Sequence, residues 1–335
     1  MLKIWFNHWF RTAYSLVELM KRGAEEPVYI IGTHSLEYSP IRNMCDEWYK
    51  EEYLPEDEYV DFCVNFCKEH DIDVFVPHRY MTAIMKNQER FDRLGVKLFS
   101  NDYRTLSIFE DKARAYRLLK DTGVNIPDYL TATTAEEFAG AFKEISEKYG
   151  SVCIKFDEDE GAQSFRRITQ SGDPFTALHR YKGFSATYDE VYYALSTRES
   201  FDELMIMPYL DGVEVSVDCL KTDDGVIALP RFKGAGHIES LRFDDEILGM
   251  TSEILNSAKL EYPCDVQFKY LGDKPYLLEV NARMSGGLPM NCEAAGVNIP
   301  SLALKKLLGK PCPTPAYDKT EKIFSNVELP ILIAG

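Results

Sequence analysis

Residues 265–283 constrain this chain more than any other stretch. They read Asp265-Val266-Gln267-Phe268-Lys269-Tyr270, then Leu271-Gly272-Asp273-Lys274-Pro275, then Tyr276-Leu277-Leu278-Glu279-Val280-Asn281-Ala282-Arg283. Two alternating runs around a glycine-containing turn predict a β-hairpin. Successive strand side chains point to opposite faces. If Tyr270 stands opposite Tyr276, then Gln267 faces Glu279 and Asp265 faces Asn281. Gln267, Glu279, Asn281 and Arg283 then share one face, while Val266, Phe268, Leu278 and Val280 enter the core. A carboxylate flanked by amide oxygens suits a hard cation, magnesium first. An adjoining arginine can grip an anionic oxygen through two parallel bonds. A polar face turned to solvent fits the same pattern.

The first hundred residues alternate strand and helix. Leu2 to Phe6, Val28 to Ile31, Val74 to Val76 and Val96 to Phe99 are apolar runs. Helical patterns lie between them, at Ala13 to Met20, Tyr59 to His70 and Met81 to Leu94. Spacing of this kind predicts a parallel sheet covered on both faces. Ligands on such sheets bind beyond the carboxyl ends of the strands. Those ends carry Asn7-His8-Trp9-Phe10-Arg11 and Pro77-His78-Arg79-Tyr80. No Gly-x-Gly-x-x-Gly follows the first strand, so no nicotinamide or flavin is assigned. Further on, a helix is expected from Ser107 through Leu119, another from Ala135 to Tyr149, and a strand from Ser151 to Phe156. Residues 165–200 read as irregular structure plus a helix, with Tyr188 and Tyr192 as packing residues. A second hairpin, Val213 to Phe232, turns at Asp223-Asp224-Gly225.

Charge narrows the partners. With 38 Lys+Arg against 54 Asp+Glu, the net charge is -16. That balance disfavours duplex nucleic acid and anionic membranes, which need a basic field. A hydrophobic content of 45% is too high for an acidic disordered chain. No apolar run reaches membrane-spanning length and the N-terminus has no apolar leader, so a cytoplasmic location is expected. The eight cysteines are scattered and read as reduced thiols, with Cys63 and Cys67 the one close pair. The pair is half a metal site at most.

The hairpin is also similar to a known signature. Glu279-Val280-Asn281-Ala282-Arg283 with Ser285-Gly286-Gly287 resembles the metal-binding strand of the ATP-grasp superfamily, and Asp265 to Phe268 the preceding strand in its carbamoyl-phosphate-synthetase-like branch. Asp111-Lys112 followed by Gly123-Val124-Asn125-Ile126-Pro127 resembles the family's opening, Lys155 its strand-end lysine, and Gly161-Ala162-Gln163-Ser164 its phosphate loop. Met207 to Asp218 resembles the adenine hinge and the ribose-binding strand. The resemblance covers about residues 101 to 310 and implies a Rossmann-like pre-ATP-grasp α/β domain at 1–100. A two-lobed ATP-grasp fold at 101–315 would follow, with a mobile lid at about 150–210 and an extension at 316–335.

Roles follow from the resemblance. Lys112 and Lys155 would neutralise ATP phosphates, and Gly161 and Ser164 would cradle them. Met207, Tyr209 and Leu210 would hold adenine, and Glu214 the ribose. Gln267, Glu279 and Asn281 would bind magnesium, two ions being expected and manganese an alternative. Arg283 would steady the transferring phosphoryl group, with Lys155 as the second catalytic residue. His78, Arg79, Ser285 and Gly286 would meet the substrate. The implied reaction activates a carboxylate as an acyl phosphate and passes it to an amine, with amino-acid-like substrates and a homodimeric assembly expected. One departure is a phosphate loop with Gly161 as its single glycine, behind the acidic run Asp157-Glu158-Asp159-Glu160. That run could attract the amine. A non-catalytic ATP-binding regulator is the alternative from another class, and a bicarbonate-phosphorylating enzyme the alternative within this one. No Walker motif and no Gly-x-Ser-x-Gly is present.

Overall fold

The computed structural model describes residues 1–156, 163–169, 184–327 and 330–333. They group into two compact units. One joins Met1–Phe109, Val213–Phe268 and Leu278–Gly335; the other joins Glu110–Gly212 and Lys269–Leu277.

The first unit begins with the expected parallel sheet. Strands β1 (Leu2–Asn7), β2 (Val28–His34), β3 (Glu47–Lys50), β4 (Val74–Val76) and β5 (Lys97–Leu98) line up as β3-β2-β1-β4-β5, every pair parallel. Central β1 is covered on both faces, so Ile4, Trp5 and Phe6 are all buried. Trp5 stacks on Phe75 at 4.0 Å, an arrangement that contributes about 0.5–1.5 kcal/mol beyond its burial. Its ring N–H donates to Thr33 Oγ1 at 2.9 Å. The edge strand β3 lacks the apolar run that marks its neighbours, and sequence reading passed over it.

The second unit carries a sheet ordered β6-β10-β7-β8-β9, from β6 (Leu130–Ala132), β7 (Val152–Phe156), β8 (Arg166–Thr169), β9 (Ser185–Thr187) and β10 (Leu204–Pro208). One face packs Val152, Ile154, Ile168, Leu204 and Ile206 against the helices Ala135–Tyr149 and Tyr188–Ser196. Thr187 starts the latter helix with a capping box to Glu190. Tyr188 stacks on Phe138 and Tyr192, so these tyrosines are packing residues as expected. The expected helix from Ser107 to Leu119 is broken instead. It forms as Tyr103–Phe109 and Lys112–Leu119, because the Asp111 side chain accepts from Arg114 N at 2.6 Å and opens a new helix. The break coincides with the boundary between units.

The remaining sheet runs β15-β14-β11-β12-β13-β16, from β11 (Glu214–Lys221), β12 (Val226–Lys233), β13 (Ile238–Leu241), β14 (Cys264–Leu271), β15 (Lys274–Asn281) and β16 (Lys322–Ser325). Leu220, Ile227, Leu229 and Leu241 join Ile4, Leu16, Leu288 and Leu304 in one apolar core of the first unit. The hairpin forms where its sequence predicts, but its inward face changes phase. Leu277, not Leu278, is fully buried, whereas Val280 keeps the expected side. Leu277 belongs to the second unit, where its N–H donates to Asn125 O at 2.8 Å and its carbonyl accepts from Tyr116 Oη at 2.9 Å.

Candidate active site

In the first unit, alternation sets Glu214, Ser216 and Asp218 on one sheet face, opposite Lys233, Arg231 and Leu229 of β12. A polar belt crosses five strands there. Arg231 Nη1 donates to Glu239 Oε2 at 2.7 Å and Nη2 to Ser216 Oγ at 3.3 Å. Ser216 Oγ donates to Asp265 Oδ1 at 2.5 Å. Gln267 Nε2 donates to Asp265 Oδ2 at 2.7 Å. Asn281 Nδ2 lies 3.4 Å from that oxygen and donates to Glu279 Oε1 at 3.2 Å. Asp265, Gln267, Glu279 and Asn281 therefore do share a face. With their nitrogens turned to carboxylates, the two amides leave carbonyl oxygens to serve a cation.

This donor set fits magnesium better than a softer metal. Two carboxylates and two amide oxygens are all hard donors. Among the described residues, no three His, Cys, Asp or Glu side chains cluster to hold a metal by themselves. A cation here would draw part of its shell from water and phosphate, as magnesium does. The eight cysteines are unpaired, and seven are buried.

Arg283 leaves the end of β15 with its guanidinium 5.7 Å from the Phe10 ring and Nη1 donating to Met284 O at 3.1 Å. The turn beyond it is tied down from below. Ser285 Oγ donates to Asp218 Oδ1 at 2.7 Å and accepts from the N–H groups of Gly287 and Leu288 at 3.1 and 3.0 Å. Asn291 Nδ2 donates to Asp218 Oδ2 at 2.7 Å. Burial and the nearby Asp265 carboxylate raise the Asp218 carboxyl above the ordinary range, against the pull of Arg231 and of these two bonds. At Gly287 an added Cβ would fall 2.1 Å from Arg231 Nη2, so any side chain there would displace the guanidinium from its place in the belt. Gly286 abuts Thr12, with a Cβ placed 3.0 Å from Oγ1. Glu214 pairs with Lys233.

In the second unit, the sheet face away from the helices carries Cys153, Lys155, Met205, Met207 and Arg167. The register sets Lys155 opposite Met205 and Cys153 opposite both Met207 and Arg167. Buried Met205, Met207 and Leu210 make apolar walls, and Tyr209 N continues the ladder to Ser151 O at 2.9 Å. Sequence reading missed two cations. The Arg167 guanidinium lies 4.4 Å from the Tyr209 ring centre and Lys269 Nζ 5.6 Å. Burial pushes the Cys153 thiol up to about 12, against the opposing charges of Lys112 and Lys269. Lys269 was legible, standing two residues after Gln267 on the same strand face. Arg167 was not, because its register with β7 has no sequence signal. Lys112 opens its helix with Nζ 5.6 Å from the Tyr116 ring. Ser164 Oγ accepts from Phe156 N at 3.0 Å. Gly161 and the run Asp157 to Glu160 lie outside the described residues.

His78 and Arg79 follow β4 at the carboxyl edge of the parallel sheet. His78 N donates to Asn7 Oδ1 at 2.6 Å, and its ring packs on Trp9 and Phe10. Burial, then the charge of Arg283, lowers the His78 imidazole to about 3, so it is neutral at pH 7. The Arg79 guanidinium is held over Tyr53, Tyr59 and Tyr80 at 4.8, 5.1 and 5.1 Å.

Known proteins with related sequences and folds can now be set beside this geometry. Residues 200–329 match a family described as ATP-grasp in the biosynthetic pathway with Ter operon. The carbamoyl phosphate synthase large chain of Clostridium acetobutylicum is 23% identical over 271 residues, 76% of this chain and 24% of that protein. The chain thus spans about a quarter of the length of that relative. The biotin carboxylase domain of Hydrogenobacter thermophilus 2-oxoglutarate carboxylase, solved with MgADP, ADP and bicarbonate, superposes with a TM-score of 0.65 at 16% identity, covering 92% of this chain and 70% of that one. The L-amino acid ligase of Bacillus licheniformis does so at 0.64 and 14% identity, covering 92% and 74%. No helix among the described residues is long and apolar enough to cross a membrane. The chain thus shares the fold of these enzymes, residues 200–329 match an ATP-grasp family, and its sequence is similar to part of the carbamoyl phosphate synthase large chain.

Proposed function

We propose that the protein is an ATP-dependent ligase that activates a carboxylate as an acyl phosphate and transfers the acyl group to an amine, releasing ADP and phosphate. The observation that carries this reading is the oxygen-rich set of Asp265, Gln267, Glu279 and Asn281 on one face of two strands, with Arg283 following it. A protein that only bound nucleotide would have little use for a metal set and a phosphoryl-gripping arginine together. The likeness in fold to an L-amino acid ligase and to a biotin carboxylase domain solved with MgADP and bicarbonate agrees with it.

The residues divide the work. Met207, Tyr209 and Leu210 present backbone groups and apolar walls to adenine, and Glu214 accepts from ribose hydroxyls. Lys112 and Lys155 offset triphosphate charge, and Gly161 and Ser164 approach it from the loop. Gln267, Glu279 and Asn281 would hold magnesium, with two ions expected and manganese able to replace them; bound there, magnesium neutralises charge on the phosphates. Arg283 would steady the transferring phosphoryl group as the carboxylate oxygen attacks it, and Lys155 is the second residue assigned to catalysis. Phosphoryl transfer needs mainly such positioning and charge. His78, Arg79, Ser285 and Gly286 border the substrate. Cytoplasmic residence and a homodimer belong to the same proposal.

The test is ADP release from MgATP with pooled amino acids and small carboxylic acids. The ligase reading predicts release that needs a carboxylate, an amine and magnesium. Tight ATP binding with no release from any pool would favour the non-catalytic regulator instead.

A further inference from the structure

The carboxyl edge of the parallel sheet holds a cluster that the ATP chemistry does not use. Glu51, just past β3, is buried, with its side chain 1% exposed. Its Oε1 accepts from Thr33 Oγ1, and its backbone N–H donates to His34 O at 2.9 Å. Its Oε2 has no hydrogen-bond partner, nor does His8 Nδ1, 3.5 Å away. Arg79 Nη1 is 3.9 Å from the same oxygen. A buried carboxylate oxygen without a partner is costly and rarely kept without a use. His8 is also held in the left-handed region at φ 48°, a backbone uncommon for residues other than glycine.

The three imidazoles here differ. His34 stacks on His8 at 4.0 Å, and burial with the His8 charge lowers it to about 4. His78 is lowered further, chiefly by burial. Both are neutral at pH 7. His8 is the one of the three with a carboxylate within 4 Å among the described residues, and its side chain remains 29% exposed. The groups facing this pair are therefore Arg79, His34, His78 and Tyr59, whose hydroxyl accepts from Asn7 Nδ2 and also interacts with Glu51. The loop that begins at His8 also touches the reaction machinery. Phe10 lies under Arg283, and Thr12 abuts Gly286.

We propose that His8, oriented by Glu51, is the base that takes the proton from the attacking amine, and that this sheet edge is the acceptor-amine subsite. The proposal rests on the ligase reading above. The amine lone pair forms the C–N bond at the acyl carbon. The C–O bond to the phosphoryl oxygen breaks, and inorganic phosphate leaves with the electron pair. The ammonium proton passes to His8 Nε2, and Glu51 stabilises the resulting imidazolium through Nδ1–H. A carboxylate behind an imidazole does this elsewhere by fixing its tautomer and its charge.

The test uses the full chain, MgATP and the same pools, with two nucleophiles: the amino acids, and hydroxylamine, which is unprotonated at neutral pH. His8→Gln should lower amide formation by about 10²–10⁴-fold, and hydroxamate formation by no more than about tenfold. His8→Asn, a residue type that tolerates the left-handed backbone, guards against a folding defect and should behave alike. Glu51→Gln should lower kcat for amide formation without raising KM for the amine, and should spare hydroxamate formation as His8→Gln does. Equal loss with both nucleophiles, or no loss, would overturn the assignment of His8, and a raised KM with kcat unchanged that of Glu51. A wild-type chain that releases no ADP with any pool would instead sink the ligase reading, and this proposal with it.

Discussion

Replacing Ser285 with alanine should destabilise the first unit by about 3 kcal/mol. The hydroxyl is buried and makes three hydrogen bonds at once. Its loss strips Asp218 Oδ1 of a donor, and a hydrogen bond to a charged or ionisable group contributes about 1.5–3 kcal/mol. It also uncaps the N–H groups of Gly287 and Leu288 at the start of helix Leu288–Ala295, and removing a capping hydroxyl costs about 0.5–2 kcal/mol. Alanine leaves almost no cavity, so no large packing cost is added. These contributions share partners and do not sum fully, which sets the value near 3 rather than 5 kcal/mol. Urea unfolding followed by circular dichroism reads the change at an unchanged slope. Ser196→Ala is the comparison, since that exposed hydroxyl bonds only its own helix, to Tyr193 O. It should stay within about 0.5 kcal/mol of the parent. If the two variants unfold together, Ser285 does not anchor the turn beyond Arg283, and the account of that turn fails.

Asp218 gives a pH prediction with a definite sign. Its folded carboxyl is raised by burial and by Asp265, so the native state takes up a proton before the unfolded chain does. Its contribution to stability is full below the unfolded carboxylate range of about 4 and is lost as pH rises through the raised folded value. Melting temperature should fall over that window, and Asp218→Asn should flatten the slope; an unchanged slope in that variant would refute the cause. Lys155→Ala should weaken ATP binding by about 10–100-fold, the value of one charge-assisted phosphate contact, as read by titration calorimetry. Unchanged affinity would remove Lys155 from the nucleotide site.

Much of this architecture could be read before any coordinates, and the gaps have physical causes. The parallel sheet was legible because strands buried on both faces are continuous apolar runs, as at Ile4 to Phe6. The Asp-Gly turn fixed the β11–β12 hairpin, whose register closes at Lys221 opposite Val226. The face shared by Gln267, Glu279 and Asn281 followed from the two-residue period alone. Helix continuity failed at Asp111, where a single side-chain cap outweighs the apolar pattern on either side. Leu278 was misread because the hairpin leaves one core and enters another, which no period can reveal. Arg231, Glu51 and Arg167 were invisible for a shared reason. Each acts through a partner on another strand or loop, which the pattern of its own segment does not reveal: Ser216 and Glu239, His8 and Arg79, or the Tyr209 ring.

The central claim is that Glu279 anchors a magnesium-dependent phosphoryl transfer. Its most direct measurement is ADP release by Glu279→Gln beside the parent chain, each with MgATP and the pooled carboxylates and amines. The side chains are nearly isosteric, and Asn281 Nδ2 can still donate to the remaining amide oxygen. The fold should therefore hold, while the loss of one metal-facing charge should slow release by about 10²-fold or more. A Glu279→Gln protein that releases ADP at the parent rate would contradict the account at its centre.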